Sequence, residues 1–266
     1  MPAVRPPAVA GMFYPADPLQ LAHDVQEFLH EAQPRALNPK VLICPHAGYI
    51  YSGAIAASAY AVLHDIAPRV RRVVLLGPAH RAAIHGLALP DAEAFDTPLG
   101  RIPLDTKAMR TIADFPQVRV SDEAHRQEHS LEVQLPFLQS VLKDFTLLPL
   151  AVGMATAEEV AEVLEKVWGG EETLIVISSD LSHYLPYADA QSVDNTTVGN
   201  ILDLRQPVAH DRACGATPIN GLLLAARRHR LTPHLLDLRN SGDTAGSKDR
   251  VVGYVSIAFT EGEENG

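Results

Sequence analysis

The chain has 266 residues and a formal net charge of −10, with 47% hydrophobic and 20% charged residues. That size and balance exclude a disordered chain and fit one large α/β domain. The acidic surplus, with no basic stripe carrying interleaved aromatics, argues against a nucleic-acid partner.

The opening stretch is Pro-rich and irregular. Asp17–Glu31 then spaces Leu19, Leu21, Val25, Phe28 and Leu29 as an amphipathic helix, and Pro34 and Pro39 bracket a linker. Lys40–Cys44 reads as a buried strand, PHAGYIYSG as a loop, and Ala54–His64 as a tightly packed helix. Arg72–Gly77 is a second strand, Gly86–Leu89 and Gly100–Leu104 are short strands, and Thr106–Ala113 is a helix. The polar stretch His125–Ser130 precedes an amphipathic Leu131–Leu142, where Pro136 needs a first-turn position or a kink. Phe145–Leu150 is a strand, Ala157–Trp168 a helix with acidic residues in its first turn, and Leu174–Ser178 another strand. Asp194–Leu204 and Pro218–His229 read as helices, Leu231–Leu238 and Val251–Phe259 as strands, and EGEENG as a frayed acidic tail. The alternation predicts a single domain over 1–266, with a central mostly parallel or mixed sheet flanked by helices on both faces. No apolar run approaches the roughly 18 residues of a membrane span. The N-terminus lacks a leader core and two cysteines make no disulfide framework, so a cytoplasmic protein with no membrane partner is expected. Nothing fixes the oligomeric state.

Three apolar runs end in a side chain able to bind metal or move protons. His46 follows VLICP, His80 follows RVVLLGPA, and His183 follows TLIVISSDLS. Sites in open α/β sheets form at the carboxyl ends of strands. Cys214 lies in a polar break, RACGATP, before a helical pattern. Imidazole and thiolate both bind Fe(II), Zn(II) or Cu, and three protein ligands leave positions open. Taken singly, each histidine reads equally as a turn or core residue, and Cys44 as a core thiol. In SSDLSHY, Asp180 beside His183 suits an oriented acid–base pair, while Ser179 or Asp180 could instead cap a helix. HRQEH matches the inverted zinc-peptidase pattern, yet it stands in a polar stretch that suits no rigid ligand helix. His129 and Glu132 could line a pocket there. SGDTAGSKDR lacks phosphate-loop spacing and reads as a flexible loop able to close over a site.

PHAGYIYSG, GPAH, EHSLEVQLPF, SSDLSHY, CGATPINGLL and the final GD…SKDRVVGY together resemble the Memo family over almost the whole chain. That family is similar in fold to class III extradiol dioxygenases, which use non-haem Fe(II). The resemblance implies His46, His80 and Cys214 as metal ligands, with Cys214 where the dioxygenases place a glutamate. It implies His183 as the acid–base group with Asp180 beside it, and His129 as a pocket residue. A thiolate for a carboxylate softens the site toward Cu(I) or Zn(II). Three functions follow as expectations: an Fe(II)-dependent oxidoreductase of undefined substrate, a non-catalytic metal- or redox-sensing or peptide-binding protein, and a zinc-dependent hydrolase. Each would take a small-molecule or peptide ligand in the metal-site pocket. A redox sensor requires a low thiol pKa at Cys214.

Overall fold

Period-two burial along the predicted strands organises the molecule, a computed structural model that describes residues 3–33 and 35–262. The elements in chain order are β1 Val4–Arg5, α1 Pro18–Glu31, β2 Pro39–Cys44, α2 Tyr49–Tyr60, β3 Arg72–Pro78, β4 Leu87–Leu89, β5 Ala94–Thr97, β6 Gly100–Pro103, α3 Thr106–Ile112 and β7 Val118–Val120. There follow α4 Asp122–Arg126, α5 Leu135–Val141, β8 Thr146–Val152, α6 Ala157–Val167, β9 Thr173–Ser178, β10 His183–Leu185, α7 Tyr187–Leu202, α8 Ala216–Arg228, β11 Thr232–Asn240 and β12 Val251–Thr260.

The strands β2, β9, β3 and β8 lie side by side and parallel at the centre of a nine-stranded sheet. On one flank β12 runs antiparallel to β2, with β11 and β10 antiparallel to β12. On the other, β4 runs antiparallel to β8 and pairs in parallel with β7. The sheet is therefore mixed with a parallel core, as the element order predicts. A separate sheet joins β1, β5 and β6.

Alternate residues of the central strands enter two cores. Leu42, Cys44, Val73, Leu75, Leu174 and Val176 pack with α1, α2 and α5. Val41, Ile43, Val74, Leu76, Ile175 and Ile177 pack with α3, α6, α7 and α8. Because successive side chains point to opposite faces, a strand buried on both sides runs apolar along its middle, as Val41–Cys44, Val73–Leu76 and Leu174–Ile177 do. The helices carry their own signals. α6 opens on a capping box between Thr156 and Glu159 and buries Val160, Val163, Leu164 and Val167 on one stripe. α1 opens on Asp17, which accepts from the Gln20 amide at 2.9 Å, with Pro18 in the first turn.

Some boundaries differ from the sequence reading. PHAGYIYSG is only half loop, since α2 begins at Tyr49. The glycine at its end, Gly53, is inside the helix, where a Cβ would stand 2.7 Å from the Phe28 ring. α7 begins at Tyr187 rather than Asp194, because its first two turns are polar and show little apolar spacing. Pro136 sits in the first turn of α5, after a 3-10 turn at Glu132–Gln134, so no kink is needed. β1, β5, β7 and β10 have two to four residues, too few for alternation to show. Pro34 and the tail beyond Gly262 lie outside the described residues. Among the described residues no helix is long and apolar enough to cross a membrane.

Candidate metal centre

His46 and His80 follow β2 and β3, and Asp180 and His183 follow β9, which lies between them. The carboxyl ends of three adjacent parallel strands thus bring together residues far apart in sequence. The imidazoles of His46, His80 and His129 each offer a ligand atom within 4.8 Å of the others. Their ring centroids are 4.7 to 5.4 Å apart. Cys214 stands beside this trio, with its Sγ 3.4 Å from His46 Nε2.

The tautomer of His46 follows from counting protons. Ser178 Oγ donates its one hydrogen to the Ser130 carbonyl at 2.6 Å. It must therefore accept from its other neighbours, the Gln134 amide at 2.7 Å and His46 Nδ1 at 2.8 Å. Gln134 is held in that orientation because its nitrogen also donates to the Pro45 carbonyl while its oxygen accepts from Tyr60. His46 thus carries its hydrogen on Nδ1 and presents Nε2 as a lone pair toward Cys214. Burial, reinforced by His80, His129 and His183, holds its pKa well below the ordinary histidine value, so the ring is neutral.

His80 is fixed in the same sense by a different acceptor. Its Nδ1 lies 2.9 Å from Glu128 Oε1, and its backbone amide donates to Oε2 of the same carboxylate. Glu128 also accepts from the amides of His129 and Ser130. Burial alone would raise its pKa, but the His80 contacts and these amides outweigh it and hold the carboxyl down at about 2. A charged carboxylate only accepts, so His80 carries a hydrogen on Nδ1, and Nε2 is the ring nitrogen turned away from Glu128. His129 packs on Phe13, with ring centroids 4.7 Å apart, and its Nδ1 is buried without a hydrogen-bond partner. Burial lowers its pKa to about 4.

Asp180 serves differently from the sequence reading. Its carboxylate accepts from the His46 amide at 2.7 Å, and does not hold the His183 ring. Its carbonyl accepts from the Cys214 amide, and its amide donates to Cys214 Sγ at 3.3 Å. One residue thereby ties the tip of β2 to the cysteine. Burial raises the Asp180 pKa to about 6 against the opposing His46 amide. The capping idea is partly right in a non-local form, since Ser179 Oγ accepts from the Gly215 amide at the start of α8. Gly215 must be small there, because a Cβ would stand 2.6 Å from the Ser179 side chain. His183 Nδ1 donates to the Leu181 carbonyl at 2.8 Å, which orients the ring and leaves Nε2 without a protein partner among the described residues.

Burial and the nearby Asp180 raise the Cys214 pKa to about 12. This is the reverse of the low thiol pKa that redox sensing requires. The zinc-peptidase pattern is also dismantled. His125 is buried, its Nε2 donates to the Ala88 carbonyl at 2.8 Å, and its ring packs near Phe95, while Glu128 holds His80.

A cavity of about 450 Å³ opens over the centre. His129, Asp180, His183, Phe13 and Tyr51 line it, as do Gly246, Ser247 and Arg250 of the SGDTAGSKDR segment. That loop is anchored to α2 by Thr244 Oγ1 donating to the Tyr51 carbonyl. Sequence reading did not find the roles of Ser178, Gln134 and Glu128. The first two sit in predicted elements, and the only signal for Glu128 was its place between two histidines.

The donor set suits a metal ion: imidazoles with anchored Nδ1–H groups, an orphaned His129 nitrogen and an adjacent thiol. Comparison with known proteins agrees in family. A family model described as Memo-like protein matches residues 5–258. A MEMO1 family protein of Methanosarcina barkeri is 37% identical over 268 residues, which cover 96% of this chain and 99% of the relative. MEMO1 family proteins of Sulfolobus acidocaldarius and Aquifex aeolicus are each 35% identical, with 96% of this chain and 99% of the relative covered. The chain belongs to the Memo family.

Proposed function

We propose that this chain is one domain carrying a non-haem metal centre of dioxygenase type. Fe(II) would be held by Nε2 of His46, Nε2 of His80 and the sulfur of Cys214, with His129 beside the site. The observation that carries the reading is the paired anchoring of His46 and His80 at Nδ1 by Ser178 and Glu128, which turns both Nε2 atoms toward one close-set group. The position of Cys214 supports it. Its Sγ lies 3.4 Å from His46 Nε2, so one ion could be reached by both atoms. A thiol raised by burial is released as thiolate only by a cation, so metal binding discharges a proton.

The ion, when bound, supplies a Lewis-acidic and redox-active centre with positions open to small ligands. The chain supplies the rest. Asp180 positions His46 and Cys214 through their backbone amides. His183 Nε2, on the cavity wall, takes and returns a proton of a ligand held there, and its Nδ1 bond to Leu181 fixes the ring for that exchange. His129 and Phe13 close one wall.

The test is metal content and spectra of protein purified anaerobically. Stoichiometric ferrous iron that forms a nitric oxide adduct is expected. His46→Ala or His80→Ala should abolish tight binding, Cys214→Ser should weaken it and shift preference away from Cu(I) and Zn(II), and His183→Ala should leave iron bound. Zinc alone, with no affinity for iron, overturns the oxidoreductase reading in favour of hydrolysis. Binding that ignores Cys214→Ser but fails in His129→Ala removes Cys214 from the ligand set.

A further inference from the structure

The short strand β10 holds a backbone outlier. Tyr184 has φ of 62°, in the left-handed region that bulky residues rarely adopt. Leu204 and Arg230 also have positive φ, but each stands two residues past a helix end, where such a turn is ordinary. Tyr184 has no such excuse. It is the odd residue of a bulge, since His183 pairs with Val252 and Leu185 with Val251. Bulges beside functional sites re-aim a side chain. Here the bulge delivers the Tyr184 ring to the cavity wall, where it remains 62% exposed. Strain that yields no burial needs another purpose.

Arg250 stands on that ring, with its guanidinium carbon 5.4 Å from the centroid, and lines the same cavity. Among the described residues, no ion pair engages Arg250. Its neighbour Lys248 is turned aside over Tyr187. In a chain of net charge −10, an unpaired guanidinium at the mouth of a cavity walled by Phe13, Tyr51 and Tyr184 is a directed feature. A planar guanidinium matches a carboxylate in a two-pronged fork, and aromatic walls match a flat ring.

We propose that Arg250 and Tyr184 form the substrate-recognition rim of the centre, and that the ligand is a small planar aromatic carboxylate. Arg250 takes the carboxylate, Tyr184 and Phe13 flank the ring, and the far edge of the ring faces the histidines. This adds a substrate class to the metal-centre reading and rests on that reading only for the inner end of the ligand.

The test titrates benzoate, its uncharged counterpart benzamide, and inorganic phosphate into metal-free and iron-loaded protein, with binding followed by ligand-observed NMR. Benzoate should bind both forms and more tightly than either control. Arg250→Gln should weaken benzoate about tenfold, with Arg250→Lys recovering part of the loss. Tyr184→Gly relieves the left-handed strain, so it should keep or raise the melting temperature while weakening benzoate about threefold. A purely structural role for Tyr184 would not separate those two readouts. Absent benzoate binding, equal binding of benzamide, tighter binding of phosphate, or indifference to Arg250→Gln each overturns the proposal. Arg250-dependent benzoate binding in a protein that takes no metal would uphold the rim while the metal-centre reading falls.

Discussion

Glu128 and Glu132 lie one helical turn apart in sequence, both buried, and both surrounded by N–H and O–H donors. Glu128 spends its acceptors on His80 and on the amides around it, so it orients a ring of the histidine trio. Glu132 faces the other way. It pairs with Arg5 at 2.7 Å and accepts from the Ala8 and Val9 amides and the Tyr14 hydroxyl. Arg5 in turn donates to the carbonyls of His125 and Glu128. The same side chain in the same burial thus becomes a tool of the site in one case and a clamp on the N-terminal segment in the other. What separates them is whether the donors they satisfy belong to a group with a free face.

That contrast can be broken most forcefully at Glu132. Glu132→Ala strands a buried guanidinium and three further donors, so it should cost about 3–5 kcal/mol of stability in urea titration. Any metal lost should track unfolding. Glu128→Gln should give the opposite profile, with a 10–100-fold loss of metal affinity by chelator competition, about the loss typical when a ligand's hydrogen-bond partner is changed, and a smaller loss of stability. Acid titration of the metal-free protein sharpens the picture at an intermediate level. His129 and His125 have pKa values lowered from 6.5 to about 4, and His46 is also held well below 6.5. Below pH 6.5 the unfolded chain takes protons there that the folded chain refuses, so stability should fall as pH drops from 6.5 toward 4. Asp180, raised from 3.8 to about 6, and Asp194, also raised by burial, act in the reverse sense, but they are two groups against four histidines, His234 being lowered as well. The Glu128 contribution, present above 4.5, is lost in turn as pH falls toward 2. Stability that stays flat from pH 6.5 to 4 would refute the neutral assignment of the histidines. The smallest effect is expected for Tyr14→Phe, which removes one hydrogen bond to Glu132. It should cost about 1 kcal/mol and leave metal affinity unchanged.

The strand tips were legible because two-sided burial forces an apolar run, and a histidine after such a run stands out. β2, β3 and β9 and the positions of His46, His80 and His183 follow from that physics alone. The grouping of His129 with His46 and His80 does not. It depends on the loop after α4 folding back over β3, and the contact that fixes it, His80 to Glu128, spans 48 residues. Arg5 was hidden for the same reason. It stands in a Pro-rich stretch without periodicity, and its partner is 127 residues away. The bulge at Tyr184 was invisible because three residues cannot show alternation, still less a break in it. Asp180 was noticed for its chemistry and misplaced in its partner, since adjacency to His183 in sequence suggested contact that the turn does not make.

The order of strands in the sheet also has a temporal consequence. β12, the last strand in the chain, is internal to the sheet. It zips to β2 at its far end, while Gly253 near its start pairs with the backbone of Leu181 and Ser182 just before His183. A growing chain on the ribosome therefore carries His46, His80, His129 and Cys214 before it can lock the turn that presents His183. Contacts of such long sequence separation form late and slowly. Until residues 251–260 are in place, the turn that presents His183 lacks its backbone partners, so the site is completed only after the sheet has closed around β12.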